Sequence, residues 1–165
     1  LFTPPWPRGS VTHLFTGHAE AKVDPKSRLA IPAKFRHDLT GGGESMWKCV
    51  PWPTGMLLRL YPKKTFDQMA LAAPDELMPG QDEADLEADF FSLAETLEMD
   101  SAGRVLLPKL HLDITGLPAD VVVIGVRDRL EIRGAEGWKA GLKDRFARMP
   151  ALADRVRRGK ALPEA

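Results

Sequence analysis

The chain has 165 residues, 44% hydrophobic and 28% charged, and its 23 basic and 23 acidic side chains cancel to zero net charge. Such a chain is expected to be globular, as one compact domain or two small halves sharing a core. No apolar stretch approaches the length of a bilayer span, no charged-then-apolar leader is expected, and the single Cys49 excludes an internal disulfide, which suits a reducing cytoplasm.

The charges are segregated along the chain. Up to Lys64 there are ten Lys/Arg against four Asp/Glu, 65–103 carries eleven acidic residues and no basic one, and 127–160 carries eleven basic and five acidic. Basic surface attracts nucleic acid by neutralising phosphate; charge complementarity between the segments is the competing account.

The residues before Phe15, rich in Pro and Trp, are read as a trimmed or non-native arm. The informative string follows: Val23-Asp24-Pro25-Lys26-Ser27-Arg28-Leu29-Ala30-Ile31-Pro32 returns 76 residues later as Met99-Asp100-Ser101-Ala102-Gly103-Arg104-Val105-Leu106-Leu107-Pro108. Both copies read apolar-Asp-x-x-small-Arg-apolar-x-apolar-Pro, so one supersecondary unit is used twice. Asp24 suits an Asx-type turn, Pro25 presets the first corner, and Ser27 or Gly103 falls where a left-handed backbone is expected. Across so tight a reversal, the Asp24 carboxylate and the Arg28 guanidinium come within ion-pair reach. Pro32 and Pro108 then end a strand and occupy the first turn of a short helix.

After the first copy, the pattern predicts a helix over 33–39, a break at Gly41-Gly42-Gly43, and apolar strands at 46–50 and 56–61. The turn Pro51-Trp52-Pro53-Thr54-Gly55 joins those strands, and a helix follows over 63–72. A breaker-rich linker occupies 74–80. The acidic segment 82–92, with Leu86, Phe90, Phe91 and Leu93 at mostly helical spacing, predicts a helix packing one side inward. The alternating segment 94–99 enters the second copy as a strand. There follow 109–114, the break Gly116-Leu117-Pro118, strands at 121–126 and 130–132, and one helix over about 135–149. Leu58-x-Leu60 matches Leu130-x-Ile132 at an offset of 72. From Ala151, Arg155, Arg157, Arg158 and Lys160 make a helix end or a frayed basic tail.

The sequence places Arg28 among Lys22, Lys26, Lys34 and Arg36, whereas Arg104 has Glu98, Ser101, Leu110 and Leu112 around it. That contrast makes Arg28, Lys26, Lys22, Lys34 and Arg36 the candidate anion-contact set. Asp24, Asp100, Arg104 and Gly103 are the turn-building set. The competing account has each Asp–Arg pair merely clamping its turn, worth about 0–1 kcal/mol at a surface. No catalytic or metal-binding set emerges. His13, His18, His37 and His111 lack metal-ligand spacing, and Ser101, His111 and Asp113 lack a nucleophile-elbow context. The run Asp82 to Asp89 lacks the glycine and closing glutamate of a calcium loop, and Gly41-Gly42-Gly43 lacks the lysine of a phosphate loop. Trp47, Trp52 and Phe66 read as core before base-stacking, and Cys49 as a packed strand residue.

The stretch Phe15-Thr16-Gly17-His18-Ala19-Glu20-Ala21-Lys22-Val23-Asp24-Pro25-Lys26-Ser27-Arg28-Leu29-Ala30-Ile31-Pro32, with Met99-Asp100-Ser101-Ala102-Gly103-Arg104 downstream, resembles the MraZ family. These bacterial regulators carry two SpoVT/AbrB-like swapped-hairpin units in one chain, and the resemblance runs from 15 to about 148. It implies an α+β, β-rich fold: a duplicated AbrB-like β-barrel with flanking helices. The units are expected at 17–64 and 94–137, separated by a linker and acidic helix over 65–93 and followed by a helix and basic tail over 138–165. It also implies a ring-like homo-oligomer that binds short direct repeats in double-stranded DNA upstream of the division and cell-wall gene cluster the regulator heads, normally as a repressor. A cytoplasmic, nucleoid-associated, non-enzymatic protein without cofactor or membrane partner is expected. In the family the first Asp-x-Lys-Gly-Arg turn contacts DNA, which maps to Asp24, Lys26 and Arg28, with Ser27 standing where glycine is usual. The alternative is a non-enzymatic interaction or scaffold module whose turns are purely structural and whose acidic helix 82–92 meets a partner.

Overall fold

A computed structural model of the chain describes residues 13–40, 45–73 and 77–161, without the side chains of 37–40 and 160–161. The arm at 1–12, the glycine break at 41–43, the start of the linker at 74–76 and the last residues at 162–165 lie outside the described residues, as does the side chain of His37. The elements run β1 (His18–Lys22), β2 (Arg28–Ala30), α1 (Ala33–Thr40), β3 (Met46–Trp52), β4 (Leu57–Pro62) and α2 (Lys63–Leu71). After α3 (Gln81–Leu93) the order recurs as β5 (Glu95–Glu98), β6 (Arg104–Leu106), α4 (Lys109–Thr115), β7 (Asp120–Val126), β8 (Arg129–Gly134) and α5 (Ala135–Ala140), with α6 (Leu142–Ala161) appended. Among the described residues no helix is long and apolar enough to cross a membrane.

Pairing exchanges the two copies. The main sheet is antiparallel in the order β1-β7-β8-β4-β3-β5, so the first strand of each copy lies against the third strand of the other. The halves meet at β4–β8, where Leu58 faces Ile132, Arg59 faces Glu131 and Leu60 faces Leu130. β2 and β6 form a separate two-stranded ribbon centred on Leu29 opposite Val105. Residues equivalent by the repeat thus face each other at both centres, which relates the halves by an approximate twofold axis.

The fold is α+β and β-rich, but the main sheet does not close into the expected barrel. Its edges β1 and β5 instead turn through the repeated corners into β2 and β6. At each corner a backbone bond bridges the reversal, Asp24 N–H to Arg28 O at 2.9 Å and Asp100 N–H to Arg104 O at 2.8 Å. Strand periodicity sends Leu29 and Val105 into the core while Ala30 and Leu106 face outward. Beneath the ribbon lie Phe15, Trp47, Leu58, Leu60, Leu130 and Ile132, all fully buried.

Three boundaries differ from expectation. β3 continues through Pro51 and Trp52, because β5 pairs with it only as far as Cys49 opposite Glu95, and beyond that point no neighbour on that side needs the proline N–H. The helix expected over 135–149 is two helices divided at Gly141, where Arg145 donates to the Trp138 carbonyl, and the second helix runs through Pro150 to Ala161. Pro32 and Pro108 stand immediately before their helices, with Pro108 the N-cap of α4. The acidic helix α3 forms, but no residue in it is buried, and only its last turn packs, through half-buried Phe90 against Trp52, Phe66 and Tyr61.

Cys49 and His111 belong to the core. The His111 ring bonds the Leu93 carbonyl at 2.7 Å through Nε2 and meets Cys49 Sγ at 3.4 Å through Nδ1. Burial lowers the His111 pKa below its ordinary value, so the neutral ring donates from Nε2 and accepts the thiol proton at Nδ1. Burial also pushes the Cys49 thiol pKa up, which keeps it an inert packed group.

Candidate nucleic-acid interface

Both repeated turns are built by the same bonds. Asp24 Oδ1 accepts the N–H groups of Lys26 at 2.9 Å and Arg28 at 2.8 Å, while Oδ2 accepts Arg28 Nε at 2.8 Å. In the second copy Asp100 Oδ1 accepts Ala102 and Arg104 N–H groups at 2.9 Å each, and Oδ2 accepts Arg104 Nε at 3.0 Å. The Arg28 N–H, then the Arg28 guanidinium, hold the Asp24 carboxyl pKa below its ordinary value, and Arg104 does the same for Asp100. Each carboxylate engages Nε, which holds the arginine side chain against its own turn. The arginine side chains are 36% and 40% exposed, so the clamps orient them without sealing them.

Ser27 and Gly103 both take left-handed backbone, at φ of 64° and 77°. A Cβ on Gly103 would come within 2.2 Å of Arg36 Nη1 and 2.6 Å of Arg36 Cδ. The swap explains this contact, for α1 of the first copy lies over the turn of the second, where Arg36 Nη1 donates to the Ala102 carbonyl at 3.3 Å. The residue equivalent to Arg36 is Leu112, which lines a hollow beside the first turn with Leu117 and Pro118. Serine is therefore accommodated at 27, whereas at 103 it would have to displace Arg36. Gly103→Ser is expected to destabilise the fold by about 1–2 kcal/mol through left-handed strain and displacement of Arg36, whereas Ser27→Gly stays within about 1 kcal/mol. Urea titrations of the two variants check the contrast.

The structure rearranges the candidate cations. Lys26 is exposed at the first corner beside Arg28. Lys22 is exposed at the end of β1 and faces Asp120 at 3.6 Å. Lys34 and Arg36, expected around Arg28, do not sit there. Lys34 donates to the His18 carbonyl and lies 5.1 Å from the centre of the Phe35 ring, while Arg36 covers the second turn. The contrast read from sequence neighbours therefore does not describe the surface, because the exchanged hairpins give each turn the short helix of the other copy.

What the sequence left unseen is the face the two turns share. Arg28 pairs with Leu106 and Ala30 with Arg104 across the ribbon, and Leu29 and Val105 point inward. Arg28, Ala30, Leu106 and Arg104 consequently share the outward side. The two arginines mark opposite corners, with α-carbons about 8 Å apart by strand spacing. Between them lie the small Ala30 and Leu106, which is 61% exposed. The signal was present in the repeat, since 30 and 106 are equivalent positions two residues beyond each arginine. Two cations flanking an apolar centre on a narrow two-stranded ribbon suit a DNA major groove, which admits such a ribbon and presents acceptors and methyl groups at its floor.

A family model for the MraZ protein, described as antitoxin-like, matches residues 90–158. A transcriptional regulator MraZ of Bacteroides fragilis is 35% identical over 127 residues, which cover 74% of this chain and 78% of that protein. Proteins of the same name from Thermomicrobium roseum and Corynebacterium glutamicum are 30% and 33% identical, covering 87% of this chain and 97% and 96% of theirs. With identity of this level along most of both lengths, the chain belongs to the MraZ family.

Proposed function

We propose that this protein is a non-enzymatic, DNA-binding transcriptional regulator that lays the outer face of the β2–β6 ribbon in the major groove. The observation carrying this reading is the shared outward face of Arg28 and Arg104, each held at Nε by its own aspartate. Arg28 and Arg104 would reach base edges or phosphate, with Lys26, Lys22 and Arg36 at the margins. Leu106 would supply an apolar contact of the kind a thymine methyl accepts. Lys34, held on β1, would contribute only to the surrounding field. The two units, 17–64 and 94–137, would act as one reader because neither ribbon strand has a partner without the other.

In finer detail, the protein would repress the division and cell-wall gene cluster, including its own promoter, by binding short direct repeats as a ring-like homo-oligomer. It would work in the cytoplasm at the nucleoid. One ribbon makes few contacts, and repeated copies on an assembly make the later contacts intramolecular, which raises avidity when repeat and subunit spacing match. The test is a titration of a duplex from upstream of its own gene at 50 and 200 mM NaCl, beside a shuffled duplex. The expected result is preference for the natural duplex and affinity falling steeply with salt. Weak, salt-insensitive binding to both duplexes would favour the scaffold reading, in which the turns only hold the fold.

A further inference from the structure

Among the described residues two helices leave most of their surface uncovered, α3 packing only by its last turn and α6 only near its start, and their surfaces complement each other. Every described side chain of α6 from Phe146 onward is exposed, including Phe146 at 75%, Met149 and Val156. Residues 142, 146, 149, 153 and 156 alternate steps of four and three, the spacing of a seam that packs on another helix. α3 also has no buried residue, and its Leu86 is 69% exposed and its Phe91 half-exposed. α3 carries five acidic residues and no basic one, while α6 carries seven basic and two acidic. Their net charges are therefore equal and opposite. Beside Phe91 opens a cavity of about 320 Å³ walled by Trp52, Tyr61, Phe66, Met69 and Phe90, with room for one aromatic ring.

We infer that the seam of α6 in one copy docks along α3 of the next, with Phe146 entering the aromatic cavity. A second α6 is the poorer occupant, since it would bring like charge against like along the full seam. Because the two surfaces differ, the contact is head-to-tail, and each copy keeps one unused surface until a ring closes. The inference rests on the homo-oligomer proposed above and names its interface.

The test uses full-length chains carrying Phe146→Glu or Leu86→Lys, both exposed positions, sized by light scattering after gel filtration. Circular dichroism checks each fold, and the milder Phe146→Ser and Leu86→Ser are read in the same way. The wild type is expected to exceed the single chain of 18.2 kDa. Each variant alone is expected to fall to a monomer. Mixed, the intact α3 of one and the intact α6 of the other should form a heterodimer and nothing larger. A monomeric wild type would overturn both this interface and the proposed oligomer. If the wild type is oligomeric and Leu86→Lys keeps its size, only the α6–α3 assignment falls. It also falls if the mixed variants fail to associate, or if Phe146→Glu keeps the wild-type size.

Discussion

Arg28→Ala should weaken binding to the upstream duplex roughly a hundredfold, with Arg104→Ala close behind and the double variant falling to the level of a shuffled duplex. A well-formed arginine contact to a base edge contributes about 1–3 kcal/mol per site, and an oligomer repeats the loss at every ribbon it applies to DNA. Comparable effects are expected because the exchanged hairpins give both arginines the same outward face and give Arg104 the company of Arg36. The fold should persist, since a half-exposed clamp contributes about 0–1 kcal/mol and Leu29 still anchors the strand. Asp24→Asn separates contact from positioning, for it keeps the guanidinium but weakens the bond at Nε, so an intermediate loss is expected. Fluorescence anisotropy with a labelled duplex at fixed salt measures all four variants. Wild-type affinity for Arg28→Ala would exclude the ribbon as the reading face.

Glu131→Gln is expected to destabilise the protein by about 3 kcal/mol, the effect of breaking a buried ion cluster by removing its central charge. The Glu131 side chain is 3% exposed at the middle of the sheet, where the two halves meet. Its Oε1 accepts Arg133 Nη2 at 2.5 Å, its Oε2 accepts Arg129 Nε at 3.0 Å, and Arg59 lies 3.4 Å away. Arg59 in turn stacks 3.6 Å from the centre of the Trp52 ring. Glutamine keeps the shape but leaves three guanidinium groups without the shared anion. Burial alone would raise the Glu131 pKa, and the Arg133 and Arg129 contacts outweigh it, so the pKa lies below the ordinary value of 4.5. A carboxylate held low in the fold stabilises it above the unfolded value, and that contribution disappears as pH falls through the folded one. The gap between wild type and Glu131→Gln in urea titrations should therefore be full at pH 7 and shrink in acid. An equal gap at both would assign the effect to packing.

The local geometry was legible because its causes lie within five residues. Asp24 reaching the N–H groups of Lys26 and Arg28, left-handed backbone at Ser27 and Gly103, and proline ahead of each short helix all follow from side chains acting on their own turn. The offset of 72 between Leu58-x-Leu60 and Leu130-x-Ile132 marked strands that do lie side by side. The residues between those apolar pairs, Arg59 and Glu131, are opposite in charge at equivalent positions, a pairing signal that emerges only when the two strands are set side by side.

The sequence by itself determined that one turn-and-strand unit occurs twice, how each turn closes, and which side of each short strand is apolar. Those properties depend on neighbours along the chain and on the alternation of a strand. Only the tertiary structure decided that Arg28 and Arg104 share a face, that Arg36 serves the turn 66 residues away, and that Glu131 gathers arginines from two strands. The reason is the exchange of hairpins: once each copy pairs with the strands of the other, a side chain's surroundings are set by the opposite half of the molecule.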